Sequence, residues 1–461
     1  MRWLLNSQML ILLILNASLS VAGESPSMLP KDPTAQTQEN SAHDANTDAA
    51  VNQMTLDQAV NEGVKSNLDI LAARYGVPLS EADEITAGLW SNPAILFDTV
   101  FQPLQSGNWN QTNAGGPRQY DIIVSYPLDL SGKRGKAEKS AHEAVNIAKA
   151  TFEDALRLKI QDIRIAYIEV IAQEHQLSLT QEKELTLKNL VTMTENRVGH
   201  SGRLPLLQMR AQLAWSQARL DTRQREISLR SADVQLSTLL ARPPGSLRLS
   251  TQTKLRDFKL AKIPRREVLV DTALKTRPDL KALQLSSHKA DLDTDLAKAQ
   301  VWDNFNLTAG VSRQGPTDAN PNDSSSTSLG SATSWNAGIT IPLPFFNHSQ
   351  GNIKKAELTK AQADKQIDSK ILAIHQEIDG LFDQIQLGSA LIQDYEGSQL
   401  KRARQVRDAQ QRQFGTGNSG LLDYLDAMSA YQSTVSAYYD AVADYQRNMT
   451  KLNASVGKDF Q

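Results

Sequence analysis

The sequence predicts an α+β chain in which two short strands and one very long helical hairpin occur twice. Three observations carry this. Three stretches alternate apolar and polar residues with period two and a fourth, Ala94 to Gln102, does so less regularly; two stretches keep a helical period for roughly 60 residues each, and residues of the first half recur in the second at offsets of 210 and 215. Composition agrees: only 6% of the 461 residues are aromatic, and the long middle segments are rich in Ala, Gln, Leu, Lys and Glu, which favours long helices over compact enzyme domains.

The N-terminus carries Arg2, an apolar run from Met9 to Leu15 and the small-x-small triplet Ser20-Val21-Ala22. This order predicts a secretory signal peptide over residues 1–22, cleaved after Ala22; the apolar core is shorter than the roughly 20 residues a spanning helix needs. Residues 23–52 are small and polar with Pro26, Pro30 and Pro33, and read as a disordered lead-in. The chain has no cysteine, so it forms no disulfide or thiolate metal site and cannot be lipidated at a new N-terminal cysteine. Lys and Arg number 49 against 51 Asp and Glu, which gives no basic excess for a nucleic-acid partner.

The first repeat spans 53–241. Thr55 is the expected N-cap of a helix with Leu56, Ala59, Val60 and Val64 on its spacing, and a second helix follows Asn67-Leu68-Asp69. Strands are expected at about 93–102 and 119–128. In the latter, Tyr120, Ile122, Val124, Tyr126 and Leu128 share one face and Asp121, Ile123 and Ser125 the other. Leu156, Ile160, Ile163, Tyr167 and Val170 then mark a coiled-coil seam, leading to a hairpin tip at about 197–205. A linker at 242–266, with Pro243, Pro244 and Pro264, separates the halves.

The second repeat spans 267–461, with strands at about 304–313 and 334–343 and a tip at about 413–421. Lys275 to Leu280 answers Lys65 to Ile70 at an offset of 210. The exits Tyr126-Pro127-Leu128 and Ile341-Pro342-Leu343 lie 215 apart (342 − 127 = 215), as do Arg197 to Leu207 and Arg412 to Leu422. Ile371, Ile374, Ile378, Leu381 and Ile385 form the second seam. Each outgoing helix of roughly 60 residues is about 90 Å long, too exposed to be stable without its return helix and other chains. Period-two strands fit either a small sheet packed on helices or a membrane barrel with its apolar face to lipid. Four strands cannot close a barrel, so the membrane reading requires an oligomer.

Asp423 and Asp426 stand three residues apart on one helix face just beyond the second tip. Two functions are open to such a pair: several copies on an axis could form a carboxylate ring, or the acids could simply favour the helix N-terminus. Seven histidines, at 43, 142, 175, 200, 288, 348 and 375, do not cluster in sequence. No nucleophile or phosphate-loop motif is present, so no catalytic, cofactor or metal site is expected.

Ala87-Gly88-Leu89-Trp90-Ser91-Asn92-Pro93, the two Pro-marked strand exits and above all Phe414 to Ala427 resemble the TolC family of outer-membrane channel proteins. The first of these stretches is most similar to the CzcC-type heavy-metal efflux branch. The resemblance implies a homotrimer whose transmembrane β-barrel, four strands from each chain, continues into a periplasmic α-helical coiled-coil barrel in a Gram-negative outer membrane. Its implied partners are a periplasmic adaptor protein and an inner-membrane pump of the resistance-nodulation-division type, and its implied cargo divalent heavy-metal cations. Arg197, Gly199, Gly202 and Pro205, with Phe414, Gly415, Gly417 and Ser419, become adaptor-facing tip residues, the glycines permitting tight turns. Asp423 and Asp426 become the gate. Two positions depart from the family pattern: Phe414 and Ser419 replace a tyrosine and an arginine of the closed-tip latch, and Gln208 stands where the first hairpin would carry an acid. Organic compounds are the alternative cargo. A periplasmic structural coiled coil is the alternative class, which explains the helices but not the strands.

Overall fold

The computed structural model describes residues 52–100, 118–201, 205–243, 249–251, 260–316 and 330–459. The expected signal peptide and nearly all of the expected lead-in lie outside these, as do the tips of both strand-connecting loops. β1 (Asn52–Met54) pairs in parallel with β4 (Leu249–Thr251), which falls inside the expected linker.

Thr55 caps the helix Leu56–Ser66 through a capping box: its Oγ1 accepts from Gln58 N–H at 3.3 Å, and Gln58 Oε1 accepts from Thr55 N–H at 2.9 Å. Asn67 ends that helix and starts the next, Leu68–Arg74, its Oδ1 accepting from the N–H groups of Asp69 and Ile70. Its amide also donates to Leu239 O at 2.8 Å, tying this corner to the far end of the first hairpin. A third short helix, Gly76–Gly88, follows. In the second half, helices Arg266–Thr276 and Pro278–Ala299 begin 210 residues after Leu56 and Leu68 (266 − 56 = 278 − 68 = 210).

β2 (Ala94–Val100), β3 (Gln119–Leu128), β5 (Phe305–Gln314) and β6 (Ala332–Thr340) form an antiparallel sheet in that order. The pairing aligns Phe97, Ile122, Val311 and Trp335 in one cross-strand row and Ile95, Val124, Ala309 and Ala337 in the next. Among the described residues nothing packs on this apolar face; Trp335 is 81% exposed. The opposite face carries Asp121, Ser125, Thr308, Ser312 and Asn336. Gly310 is required there, because a Cβ would lie 2.7 Å from Ile122 O. A bare apolar sheet face is costly in water and fits hydrocarbon, so of the two period-two readings the sheet packed on helices is the one that fails.

The first hairpin consists of an unbroken 69-residue helix, Lys133–Ser201, and the return helix Pro205–Leu239. At 1.5 Å per residue the outgoing helix is about 100 Å long. The second hairpin runs out through Gln350–Asp394, a π-helical turn Tyr395–Gln399 and Leu400–Thr416, and returns as Leu421–Val456. Sequence periodicity gave one continuous outgoing helix here; the π turn hides from it because one extra residue leaves both flanking patterns helical. Seam residues Ile163, Tyr167 and Val170 are buried, as are Ile374, Ile378 and Ile385, in one cluster with Leu452 and Val456.

The helices lie side by side. Near the sheet the order is Gly76–Gly88, Lys133–Ser201, Pro278–Ala299, Gln350–Asp394; below, it is Pro205–Leu239, Lys133–Ser201, Leu421–Val456, Gln350–Asp394. Between the two levels sits a buried ionic knot. Arg277 donates to Asp279 through two bonds of 3.0 and 2.8 Å and to Glu377 at 2.8 Å, while Lys370 pairs with Asp279 at 2.7 Å. Ser455 Oγ donates to Glu377. Burial by itself would raise the Asp279 carboxyl, but the bonds from Arg277 and Lys370 outweigh it and hold the group well below the usual carboxylate range. Glu377 is lowered for the same reasons, with Ser455 and Arg277 as donors.

Candidate functional site

The two hairpins end at one level, and the end of the second is resolved in atomic detail. Helix Leu400–Thr416 stops because Gly417 adopts φ +81°, a left-handed conformation that costs glycine nothing. Its N–H donates to Phe414 O at 3.2 Å and the N–H of Asn418 to Gln413 O at 2.9 Å. Ser419 Oγ then donates to Gln410 Oε1 at 2.8 Å, fastening the turn to the helix it has just left. Gly415, expected to shape the turn, lies within the helix, which runs one residue beyond it.

Asp423 closes the next helix start: its Oδ2 accepts from the N–H of Gly420 at 3.1 Å and from Ser419 Oγ at 3.4 Å. Asp423 and Asp426 are both exposed, whereas Leu421, Tyr424, Ala427 and Met428 of the same helix are buried. Asp423 therefore serves the helix N-terminus, as the second reading of the pair expects, and both carboxylates are exposed.

Phe414 does not project to a partner. It is 7% exposed and stacks on Tyr424 with ring centroids 5.7 Å apart and planes 10° apart, and burial pushes the Tyr424 phenol up. The stack sits in a second hydrophobic cluster with Leu187, Leu190, Val191 and Ala211 of the first hairpin and Leu421 and Met428 of the second. The ends of the two hairpins are thus joined by an apolar patch of their own. In the first hairpin, Arg197 and Gly199 lie in the last turns of Lys133–Ser201, so Gly199 is helical rather than part of a turn. Gly202 is outside the described residues, and Pro205 opens the return helix, where its fixed φ and missing N–H suit the first position.

Sequence reasoning missed the Phe414–Tyr424 stack, whose only trace is two aromatic residues flanking a glycine-rich turn. It also left the histidines scattered, whereas two of them line one cavity of about 560 Å³ near the sheet. His142 Nδ1 pairs with Glu84 and His288 Nδ1 with Glu143, each at 2.8 Å, so the pairs tie neighbouring helices together. Among the described residues, no three His, Cys, Asp or Glu side chains are placed to hold a metal ion.

A sheet with a bare apolar face, joined to side-by-side helices of which Lys133–Ser201 is about 100 Å long, fits a protein that reaches from a membrane across an aqueous space. The outer membrane efflux protein model matches residues 65–242 and 269–458, and the chain belongs to that family. It is 21% identical over 415 residues to the cobalt-zinc-cadmium resistance protein CzcC of Cupriavidus metallidurans, covering 89% of this chain and 91% of the relative. It is 22% identical over 431 residues to the pyoverdine export outer membrane protein OpmQ of Pseudomonas aeruginosa, covering 87% and 83%. Among solved structures, the channel protein CusC superposes with TM-score 0.70 at 18% identity over 90% of this chain and 95% of that one. The protein is a non-enzymatic TolC-like channel of the Gram-negative outer membrane with a periplasmic helical tunnel.

Proposed function

We propose that the chain is the outer-membrane channel of a tripartite efflux system, assembled as a homotrimer, receiving divalent heavy-metal cations from an inner-membrane pump of the resistance-nodulation-division type through a periplasmic adaptor. The observation that carries the assembly is the pair of open edges. Among the described residues, β2 and β6 each lack a neighbour on one side. On the same two sides the helical palisade ends in exposed apolar residues. Along Pro205–Leu239 they are Leu206, Leu213, Leu220, Ile227 and Val234, a strict seven-residue repeat, 56–68% exposed; along the other edge they are Leu358, Leu372, Leu387 and Val406. A heptad stripe of this length is a coiled-coil seam without its partner. Two unlike edges satisfy one another only around a closed ring, and three four-stranded sheets make a barrel of about twelve strands.

Metal as cargo is supported by the likeness to CzcC and by the outward carboxylates of Asp423 and Asp426, which in three copies would place six acids around one axis and raise the local cation concentration. The likeness to a pyoverdine exporter favours organic cargo as the second reading. Growth of a deletion strain, with complementation, across zinc, cobalt, cadmium, nickel, copper, silver and several antibiotics separates them. Sensitivity confined to metals is the expected result. Sensitivity to organic compounds alone would leave the channel and move the cargo. The tip residues Arg197, Gly199, Gly202, Pro205, Gly417 and Ser419 are assigned to adaptor contact, Phe414 and Gly415 to holding the turn from within.

A further inference from the structure

Only the second of the two hairpins has an outgoing helix interrupted by a described π turn. Tyr395–Gln399 falls where, 215 residues earlier, helix Lys133–Ser201 runs without a break through Thr180 to Glu184. The surroundings differ in the same sense. Leu177, Leu179 and Leu187 anchor the first helix on both sides of that level. In the second hairpin no side chain between Ile392 and Phe414 is buried; Tyr395 and Leu400 pack only at the edge of the first hydrophobic cluster, and beyond Leu400 the outgoing helix regains a buried side chain only at its last turn.

What holds the π turn is an aromatic ladder. Tyr395 meets Tyr438 edge to face at 6.2 Å, Tyr438 meets Tyr439 at 5.4 Å, and Tyr439 stacks on His175 of the first hairpin at 4.8 Å. Tyr438 Oη donates to Glu396 Oε1 at 2.8 Å. Beside the ladder lies a cavity of about 350 Å³ lined by Glu396, Leu400, Tyr431, Val435, Tyr438 and Tyr439, among others, space into which the helix can move without overpacking.

We propose that Tyr395–Gln399 is a hinge about which Leu400–Thr416 swings as a lever, latched by the Tyr438–Glu396 hydrogen bond. A π turn contains one residue more than the α-helix it interrupts. Deleting Gly397, whose surroundings are open, restores a continuous α-helix while keeping both flanks in register, and so locks the lever. Because the lever ends at Phe414 and the turn leading to Asp423, its swing would change the separation of the acids in the proposed trimer. That consequence rests on the channel reading, whereas the hinge does not.

The test uses the full chain, which has no native cysteine, with paired nitroxide labels and one labelled copy per assembly. A lower pair at Asn189→Cys and Gln411→Cys spans the hairpins beyond the π turn; a control pair at Asp162→Cys and Ser369→Cys lies before it. Pulsed electron resonance is expected to show a longer-distance component for the lower pair that disappears on deletion of Gly397 and grows with Tyr438→Phe, with the control pair constant. A lower-pair distribution unchanged by Tyr438→Phe would overturn the latch. One unchanged by the deletion, or a control pair that moves equally, would overturn the hinge. Should the deletion variant not fold, the Tyr438→Phe result still decides. Loss of metal resistance is not read, so failure of the cargo assignment leaves this outcome untouched.

Discussion

Arg277 and Asp423 show how single side chains carry different burdens. Arg277 is 4% exposed in its side chain and pairs with two carboxylates, the mostly buried Asp279 and the part-exposed Glu377. Replacing it by Met leaves Asp279 and Glu377 short of a partner and is expected to cost about 3–5 kcal/mol of stability, read from denaturant midpoints. Both carboxyls titrate below their ordinary values, so their contribution is full above about pH 4.5 and is lost as the pH falls through the depressed values. Asp279→Asn should therefore destabilise the protein at neutral pH and flatten its loss of stability below about pH 4. Asp423 and Asp426 are exposed and carry no such structural weight. Converting both to Asn should leave assembly intact and reduce cation preference in a planar bilayer; unchanged selectivity would remove them from the gate. This knot was hard to read in advance. Arg277 and Asn67 occupy matching places in the two halves, yet one is an ion-pair centre and the other a helix cap, a distinction made by what packs over them and not by local pattern.

Among the elements, the short strands were the most legible and the hairpin ends the least. Period-two alternation marked three strands of the large sheet and the face each of their residues would take, because in a half-exposed sheet the pleat alone decides orientation; the less regular Ala94 to Gln102 was expected as a strand without assigned faces. The alternation overlooked β1 and β4, each three residues long, too short for any period to show. At the hairpin ends, glycine spacing suggested turns at Gly199 and Gly415 that the helices in fact run through; of the described residues there, Gly417 alone needs a left-handed backbone. Phe414 matters for packing rather than display. Phe414→Ala should cost about 3–5 kcal/mol locally and uncouple the second hairpin's end from Leu187 and Leu190. The expected sign is faster proteolysis near Gly417 with the melting of the long helices unchanged; equal protection in the variant would place the junction elsewhere.

At the scale of the whole molecule, stability and assembly are one problem. Among the described residues a sheet face, two strand edges and two helical edges are left exposed, surfaces that a solitary soluble domain would bury. Leu220→Glu combined with Ile227→Glu puts two charges in the middle of the heptad stripe without touching the chain's own core. The pair is expected to convert the proposed trimer to monomer in detergent, measured by light scattering, while circular dichroism still reports long helices. A trimer that survives both substitutions would put the seam on another face.

Because the two edges are unlike, a copy damaged at one of them keeps the other. In the proposed trimer such a subunit would still join its neighbour and then block closure, spoiling rings made mostly of sound copies. In a cell producing intact and damaged chains equally, only about one ring in eight would be wholly intact if mixing is random among three subunits. Edge mutations should accordingly behave as dominant alleles, and mutations that prevent folding altogether as recessive ones.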